Sequence, residues 1–229
     1  MQLSENTISV LKNFSTINPN LVFKEGNQVK TISVAKNILA TATLGEVIPK
    51  EFGIYDLNEF LSVVGLFDKP TLDFTENSVK IKDAAGNQAV TYFFSSMENL
   101  TTPSKDITMP KCEIEFTLSE ADLSKLRRAA ATLGVSEVSV CGEEDETSIT
   151  VKVSDTKSAT SNTFELNISS TNLVRPSTKF QMVFNIGNFK FAPGDYRVQL
   201  SSKLISNFKS TSSNIQYWVA LEKSSVFNA

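Results

Sequence analysis

The most informative absence in this 229-residue chain is histidine, which does not occur at all. Histidine is the side chain that most often acts as a general base or a metal ligand, so its absence removes both. It also excludes Ser-His and Cys-His nucleophile pairs. Carboxylate-only chemistry stays open, but the sequence holds no phosphate-binding glycine motif, no G-x-S-x-G and no Cys-x-x-Cys pair. We therefore predict a protein that is not an enzyme, with no catalytic residue, no metal site and no cofactor.

The chain also has few cysteines, no long apolar run and no positive net charge. The two cysteines, Cys112 and Cys141, are too few for a disulfide framework, which favours reduced thiols in an intracellular protein. No run of about 18 apolar residues occurs, and the N-terminal segment does not resemble a signal peptide, so we expect no membrane span. The net charge of −3 argues against a protein that coats nucleic acid through bulk charge. Any DNA contact then requires a local basic patch.

The chain does contain the same kind of helix start four times. Ser4 and Ser119 stand as N-caps between apolar residues, while Asp56 and Asn185 each follow an aromatic residue and precede a phenylalanine. The two types alternate along the chain, serine first and Asx second in each half. This order predicts an internal duplication in which each copy contributes two helices, with extra residues between the helices of the second copy.

The segments between the predicted helices have the pattern of β-strands. Several of them alternate apolar and polar residues and are separated by glycine turns, as is typical of half-buried antiparallel strands. Residues 103–110 contain two prolines and no periodicity, which indicates a linker. We predict an α+β fold of two similar domains, 1–102 and 111–229, each with two helices packed on antiparallel sheet.

Cations on the polar faces of the predicted helices are the candidate functional residues. The first helix presents Lys12 opposite its apolar face, and the third presents Lys125 and Arg128 with Arg127 at the flank. The fourth predicted helix adds Lys190. A few cations among small polar residues suit sequence-independent phosphate contact. An ordinary solvated helix face is the alternative reading, and it is the stronger one for the predicted loop lysines Lys203 and Lys209. The acidic run 143–146 lacks the ligand spacing of a calcium loop and is predicted to be a solvated turn.

Four segments carry a resemblance to a known family: residues 11–18 (LKNFSTIN), 54–61 (IYDLNEFL), 193–196 (PGDY) and 217–222 (YWVALE). In these segments and in the order of its elements, the chain resembles the sliding clamp, or DNA polymerase processivity factor, of T4-type bacteriophages. The resemblance implies the DNA clamp fold and a homotrimer that closes head to tail into a ring around duplex DNA, with helices lining the hole. A mildly acidic chain with local basic helix faces agrees with such a ring, because tight phosphate binding would impede sliding.

The resemblance also implies site residues and partners. The DNA-facing residues would be Lys12, Lys125, Arg127, Arg128 and Lys190, and the ring would close by pairing edge strands through Phe93, Phe94, Phe164 and Leu166. A pocket for partner peptides would be formed by Ile107, Met109, Pro110, Trp218 and Leu221, although packing of an apolar linker is the simpler reading of these residues. The implied partners are double-stranded DNA, the phage DNA polymerase, an ATP-dependent clamp loader and late-transcription factors, all in the cytoplasm of the infected bacterial host.

Two other classes of protein remain as alternatives. A β-rich viral structural subunit would have no reason to reserve helix faces for cations such as Lys125 and Arg128. A single-strand DNA binder would need exposed aromatic residues interleaved with cations. In this sequence most aromatic residues fall at core-periodic positions, which argues against the second alternative.

Overall fold

The chain divides into two compact units, Met1–Asp106 and Ile107–Ala229. The computed structural model describes residues 1–144, 146–158, 160–169 and 172–228. The division between the units falls inside segment 103–110, while the exact domain and linker boundaries stay a prediction. Each unit combines helix with antiparallel strands, so the predicted α+β class is confirmed.

Unit 1 contains two α-helices, one 3₁₀ turn (Met97–Asn99) and seven strands. The helices are α1 (Glu5–Ile17) and α2 (Leu57–Val64). The strands are β1 (Leu21–Phe23), β2 (Gly26–Ile32), β3 (Ile38–Ile48), β4 (Phe52–Ile54), β5 (Thr71–Phe74), β6 (Ser78–Lys82) and β7 (Ala89–Phe93). Antiparallel pairing joins them in the orders β4-β1-β2-β3 and β5-β6-β7. Helix α1 buries Leu11 and Phe14 completely and packs against α2, β2 and β3, which places the core of the unit under its two helices.

Unit 2 contains one α-helix, α3 (Glu120–Leu133), among its described residues. Its strands are β8 (Ile114–Leu118), β9 (Glu137–Gly142), β10 (Ile149–Val153), β11 (Phe164–Ile168), β12 (Phe180–Asn185), β13 (Tyr196–Ser201), β14 (Ile205–Ser210), β15 (Ile215–Ala220) and β16 (Val226–Phe227). They pair in the orders β11-β10-β9-β12-β16 and β15-β14-β13-β8. Helix α3 packs against β10 and β11 and buries Leu123, Leu126 and Ala130.

The helix caps predicted from the sequence are formed. The Ser4 and Ser119 hydroxyls each accept a backbone N–H three residues later, and the Asp56 carboxylate accepts the N–H groups of Asn58 and Glu59. These bonds satisfy backbone donors that have no partner inside the helix. Gly134 ends α3 at φ 66°, a left-handed conformation that glycine adopts without steric cost.

The fourth predicted helix is not a full α-helix. Asn185 does accept the N–H of Gly187, but the helix that it begins is one 3₁₀ turn, Ile186–Asn188. An α-helix here would need the N–H of residue 193 to bond the carbonyl of Phe189, and Pro193 has no N–H. Lys190 therefore follows a short turn and does not lie on a helix face.

Three strands were not predicted: β4, β14 and β16. The largest correction among them is β14, because Lys209 was predicted to lie in a loop and instead lies in a strand that pairs with β13 and β15 on its two sides. Ser206 and Asn207 at the centre of β14 are buried polar residues, which hides the strand pattern in the sequence. Their side chains bond carbonyl groups of β15, so the buried polar groups are satisfied.

Candidate nucleic-acid and subunit interfaces

Lys12 lies on the exposed face of α1, as the sequence predicted. The opposite side of the helix is buried at helical spacing through Leu11, Phe14 and Ile17. Glu5, at the start of the helix, is also exposed, so Lys12 lies about two turns from a carboxylate at the N-terminal end. The cation is thus held on a rigid element with its side chain toward solvent.

Lys125 and Arg128 lie on the exposed side of α3. Lys125 Nζ is 3.5 Å from Asp122 Oδ1, and the lysine side chain remains 53% exposed. Solvated pairs of this kind contribute little energy and are weakened by salt, so the ion pair leaves Lys125 free to interact elsewhere. Arg128 is exposed three positions further along the helix.

Arg127 is half-buried and engaged inside unit 2, a structural role that was not predicted from the sequence. Its guanidinium donates to the carbonyl of Phe189 and, at 3.4 Å, to the carbonyl of Phe191. Burial lowers the pKa of this guanidinium, yet an arginine stays charged throughout the physiological range. Arg127 therefore supplies the donor that Pro193 cannot, and Pro193 was the sequence signal that could have revealed this role.

The five predicted DNA-facing residues differ in exposure and in their bonds. Lys12, Lys125 and Arg128 are on exposed helix faces, whereas Arg127 is bonded to backbone and Lys190 is half-buried beside the 3₁₀ turn. Contact with DNA stays a prediction for all five residues.

Two strands at the ends of their sheets could join subunits. Among the described strands, β7 pairs only with β6 and β11 pairs only with β10, so one edge of each is open. Phe93 on β7 is 72% exposed, and Phe164 and Leu166 on β11 are half-buried. An open strand edge with apolar residues is a template for pairing with another chain.

Phe94 is placed differently from its neighbour Phe93. Its ring stacks on Phe52 at 4.6 Å between centroids, and Lys50 Nζ lies 5.8 Å from its centre. Phe94 therefore belongs to the aromatic cluster of its own unit, although it is half-buried and one side remains accessible.

Tyr92 fixes the open strand β7 to helix α2, a contact that sequence reasoning missed. Its hydroxyl donates to a Glu59 carboxylate oxygen at 3.1 Å and to the Asp56 carbonyl at 3.3 Å, and its ring meets Phe60 edge to face at 5.3 Å. Burial, and then the Glu59 carboxylate, raise the pKa of Tyr92 well above its ordinary value, so it stays protonated and keeps donating. A side-chain contact thus joins strand β7 to helix α2.

The residues of the predicted peptide pocket differ in exposure. Trp218 and Leu221 are 9% and 6% exposed, and no described residue accepts a hydrogen bond from the Trp218 indole. Ile107, Met109 and Pro110 are half-buried. Upstream, in unit 1, Lys30 pairs with Asp106 and the Thr101 N–H donates to Asn20, so segment 101–106 is held over a groove of about 290 Å³. The assignment of a partner site to the five predicted residues is not tested.

The remaining polar candidates have structural partners. Burial raises the pKa of the Cys141 thiol to about 11, so at neutral pH it is protonated and unreactive. In the acidic run, Glu143 pairs with Lys179 at 2.7 Å, while Asp145 lies outside the described residues. Within the described residues, no group of three or more Cys, Asp or Glu side chains is arranged to hold a metal ion. No helix in the described part of the chain is long and apolar enough to cross a membrane.

Comparison with known proteins finds similarity over nearly the whole chain. Residues 4–93 match the family described as DNA polymerase processivity factor, and residues 115–223 match the family described as gp45 sliding clamp, C terminal. The chain is 32% identical to the sliding clamp of Vibrio phage KVP40, over 97% of this chain and 99% of that one. It is 29% identical to the sliding clamp of Enterobacteria phage T4, over 89% of this chain and 88% of that one.

Among solved structures, PCNA from Thermococcus kodakaraensis is similar with a TM-score of 0.72 and 12% sequence identity, over 97% of this chain and 99% of that one. At that identity the likeness concerns the fold alone, and it defines the DNA clamp fold. The chain belongs to the sliding clamp family of T4-like bacteriophages, the DNA polymerase processivity factors.

Proposed function

We propose that this chain is a sliding clamp that encircles duplex DNA as a homotrimeric ring and tethers the phage DNA polymerase, which confers processivity. The observation that carries the proposal is that β7 in unit 1 and β11 in unit 2 each end a sheet with one edge open. Because the two edges are different surfaces, pairing β7 of one subunit with β11 of the next is head to tail, and such contacts close into a ring when the rotation permits.

The proposed mechanism is topological. A ring remains on DNA because it encloses the duplex, so its inner surface needs only a weak and non-specific attraction for phosphate. Lys12 and Arg128 are the cations that we assign to this inner surface, since each is exposed on a helix whose opposite side is buried. The net charge of −3 for the whole chain discourages adhesion of DNA to the outside.

The proposed partners follow from the family. Besides the polymerase, we propose an ATP-dependent clamp loader that opens the ring and late-transcription factors that use it as a mobile platform, in the cytoplasm of the infected bacterium. Short apolar peptides of these partners would dock near Ile107, Met109 and Pro110, which are half-exposed. No catalytic step is assigned to the clamp itself.

The inner-surface assignment can be tested with the double variant Lys12→Ala, Arg128→Ala. Loaded onto primed circular DNA, it should be retained less well than the unmodified protein as salt rises, because two phosphate contacts per subunit are lost. Cutting the circle should release both proteins, since a ring slides off an open end.

The matched control is the double variant Lys80→Ala, Lys209→Ala, which removes the same charge from two exposed strand positions. It should behave like the unmodified protein. Equal retention of the two double variants across a salt series would contradict the inner-surface assignment. Retention that is unaffected by cutting the DNA would contradict the ring.

A further inference from the structure

The segment 189–196, which contains the PGDY motif, is bonded to helix α3 and has no role in the assignments above. In unit 1, helix α1 packs against a second helix, α2. Helix α3 is the only α-helix in the described part of unit 2, so it has no such neighbour there. It also buries only three of its 14 residues, Leu123, Leu126 and Ala130. Apolar packing therefore holds α3 along a narrow stripe, and polar contacts have a larger part in fixing its orientation.

The segment is itself anchored in the core of unit 2. Phe189 and Phe191 are 5% and 4% exposed, and their rings stack with 5.1 Å between centroids. The backbone of Ala192 is bonded on both sides, because its N–H donates to the Tyr217 hydroxyl at 3.0 Å and its carbonyl accepts from the Tyr196 hydroxyl at 2.6 Å. We call this segment the α3 bracket. Buried rings and paired backbone groups make it a rigid support.

Asp195 connects the α3 bracket to the first residue of the helix. Its carboxylate oxygen Oδ1 accepts the Glu120 N–H at 2.8 Å. This N–H is among the first four of the helix, which have no acceptor inside it, and a carboxylate also suits the positive end of the helix dipole. Gly194, at φ 136°, adopts a conformation that other residues rarely adopt, and the Thr211 N–H donates to the Asp195 carbonyl at 3.0 Å. The turn and this bond hold the Asp195 side chain at the start of α3.

Arg127 provides a second connection, about two turns further along the helix. Its guanidinium donates to the carbonyl groups of Phe189 and Phe191, at the other end of the α3 bracket. The two attachment points on α3, Glu120 and Arg127, are seven positions apart, which corresponds to about 10 Å along the axis. Two attachments at this separation oppose both sliding and rotation of the helix. Arg128, the exposed next residue, is therefore presented at a fixed position.

We propose that Asp195 is a positioning residue for DNA contact, which orients α3 through the α3 bracket so that Arg128 reaches phosphate. The inference rests on the proposed ring and its inner surface, and it gives the PGDY motif a role. Helix α1, which carries Lys12, has a parallel, because the Glu46 carboxylate accepts the N–H of its N-cap Ser4. Each of these two cation-bearing helices is thus fixed at its start by a carboxylate that comes from outside the helix.

Hydrogen exchange tests the attachment of α3 in the absence of DNA. Asp195→Ala removes the acceptor, whereas Asp195→Asn removes the charge and keeps a side-chain oxygen that can accept the Glu120 N–H. We expect the amides in the first turn of α3 to exchange about tenfold faster in Asp195→Ala, as for loss of one hydrogen bond to a charged group. Asp195→Asn should restore most of the protection. Unchanged exchange in Asp195→Ala would overturn the proposal.

Retention on DNA tests whether Asp195 acts through Arg128. Each variant is first shown by light scattering to have the native mass of the unmodified protein and is then loaded onto primed circular DNA. As salt rises, Asp195→Ala should be lost faster, by up to the factor measured for Arg128→Ala. Loss of a negative charge alone would increase retention, so the expected decrease has the opposite sign to a charge effect. The double variant Asp195→Ala, Arg128→Ala should be retained as Arg128→Ala is, because both changes remove the same contact.

Asp155→Ala is the matched control for this measurement. The Asp155 carboxylate is exposed, and it too accepts a backbone N–H, from Lys157 at 2.9 Å, but in a turn that precedes β11. The variant removes the same charge and a similar bond from unit 2, and it should be retained like the unmodified protein. If Asp155→Ala lowers retention as much as Asp195→Ala does, the effect is a general one and the positioning role is wrong.

The results separate this inference from the proposed function. If Arg128→Ala is itself retained like the unmodified protein, the inner-surface assignment is wrong, and the DNA role of Asp195 falls with it. If Arg128→Ala is retained less well and the double variant is worse still, Asp195 does not act through Arg128, while the inner-surface assignment stands. Retention of Asp195→Ala above that of the unmodified protein leads to the same conclusion.

Discussion

Helix α2 of unit 1 and the 3₁₀ turn Ile186–Asn188 of unit 2 begin with the same device and end differently. Asp56 and Asn185 each cap with a side-chain oxygen, yet α2 continues for 8 residues and the turn for 3. After Asp56 the buried residues recur at helical spacing, whereas Gly187 and Pro193 interrupt the second segment. A cap signal therefore marks where a helix begins, and the residues that follow determine how far it extends.

The same comparison extends to α1 and α3. Lys12 and Arg127 stand at the same distance from the first residue of their helices, but Lys12 is exposed and Arg127 donates to the carbonyls of Phe189 and Phe191. The shortened helix of unit 2 leaves carbonyl groups without backbone donors, and a cation of the neighbouring helix provides them. The equivalent positions of α1 and α3 therefore differ in their contacts, because Lys12 faces solvent and Arg127 bonds to the backbone.

The largest effect should come from removing that cation. Arg127→Ala leaves the carbonyls of two buried phenylalanines without a donor, and we expect the free energy of unfolding to fall by about 2 kcal/mol. Urea denaturation followed by circular dichroism measures the change. Lys12→Ala is the control and should alter stability by less than about 0.5 kcal/mol, as is usual for exposed residues. Equal effects of the two substitutions would show that Arg127 has no special structural role.

A smaller difference is expected between the two Asx caps. Asp56→Ala removes an acceptor from two N–H groups of a full helix and should cost about 1 kcal/mol of stability. Asn185→Ala removes one bond from a single turn, so we expect less than half of that cost. Urea midpoints for the two variants, each compared with the unmodified protein, check the order. A larger loss from Asn185→Ala would reverse our account of the two segments.

The smallest effect concerns the acid dependence of α1. The Glu46 carboxylate accepts bonds from the Ser4 N–H and the Thr7 hydroxyl. Partial burial alone raises the pKa of Glu46, but these hydrogen bonds outweigh it and hold the pKa below its ordinary value. The folded state thus favours the ionised form, so its stabilisation is complete above the ordinary pKa of about 4.3 and is lost as the pH falls further.

Glu46→Gln should therefore flatten the loss of stability between about pH 5 and pH 3, where an unperturbed glutamate titrates. Urea midpoints across this range give the measurement. Glu76→Gln, at an exposed turn of the same unit, is the control and should leave the slope unchanged. Identical slopes for the two variants would contradict the role of Glu46 at the start of α1.

Much of the fold could be predicted because its signals are local. Helix caps and alternating strands depend on residues close in sequence. The fold class and three of the four helix starts, at Ser4, Asp56 and Ser119, were therefore predicted correctly. Strand β14 was missed because its buried polar residues are satisfied by a neighbouring strand, and the two backbone bonds of Arg127 were missed because its acceptors lie 62 and 64 positions away. Long-range hydrogen bonds leave no periodic trace in a sequence.

The candidate sites also divide into features that have a local sequence signal and features that depend on tertiary packing. Exposed cations on helix faces can be predicted from helical spacing, as for Lys12 and Arg128. The surface groove formed by Ala129 and Leu133 of α3 and Phe164 of β11 could not be predicted, since it depends on tertiary packing. The residues of an assembly surface become recognisable only when the sheet order shows which strands end without a partner.

The most direct test of the account is the native mass of the unmodified protein, measured by light scattering over a wide range of concentration. A closed head-to-tail ring predicts a plateau at three times the subunit mass of 25.2 kDa, which falls to smaller species only on dilution. A single subunit at every concentration, or a mass that keeps rising with concentration as in an open polymer, would contradict the ring.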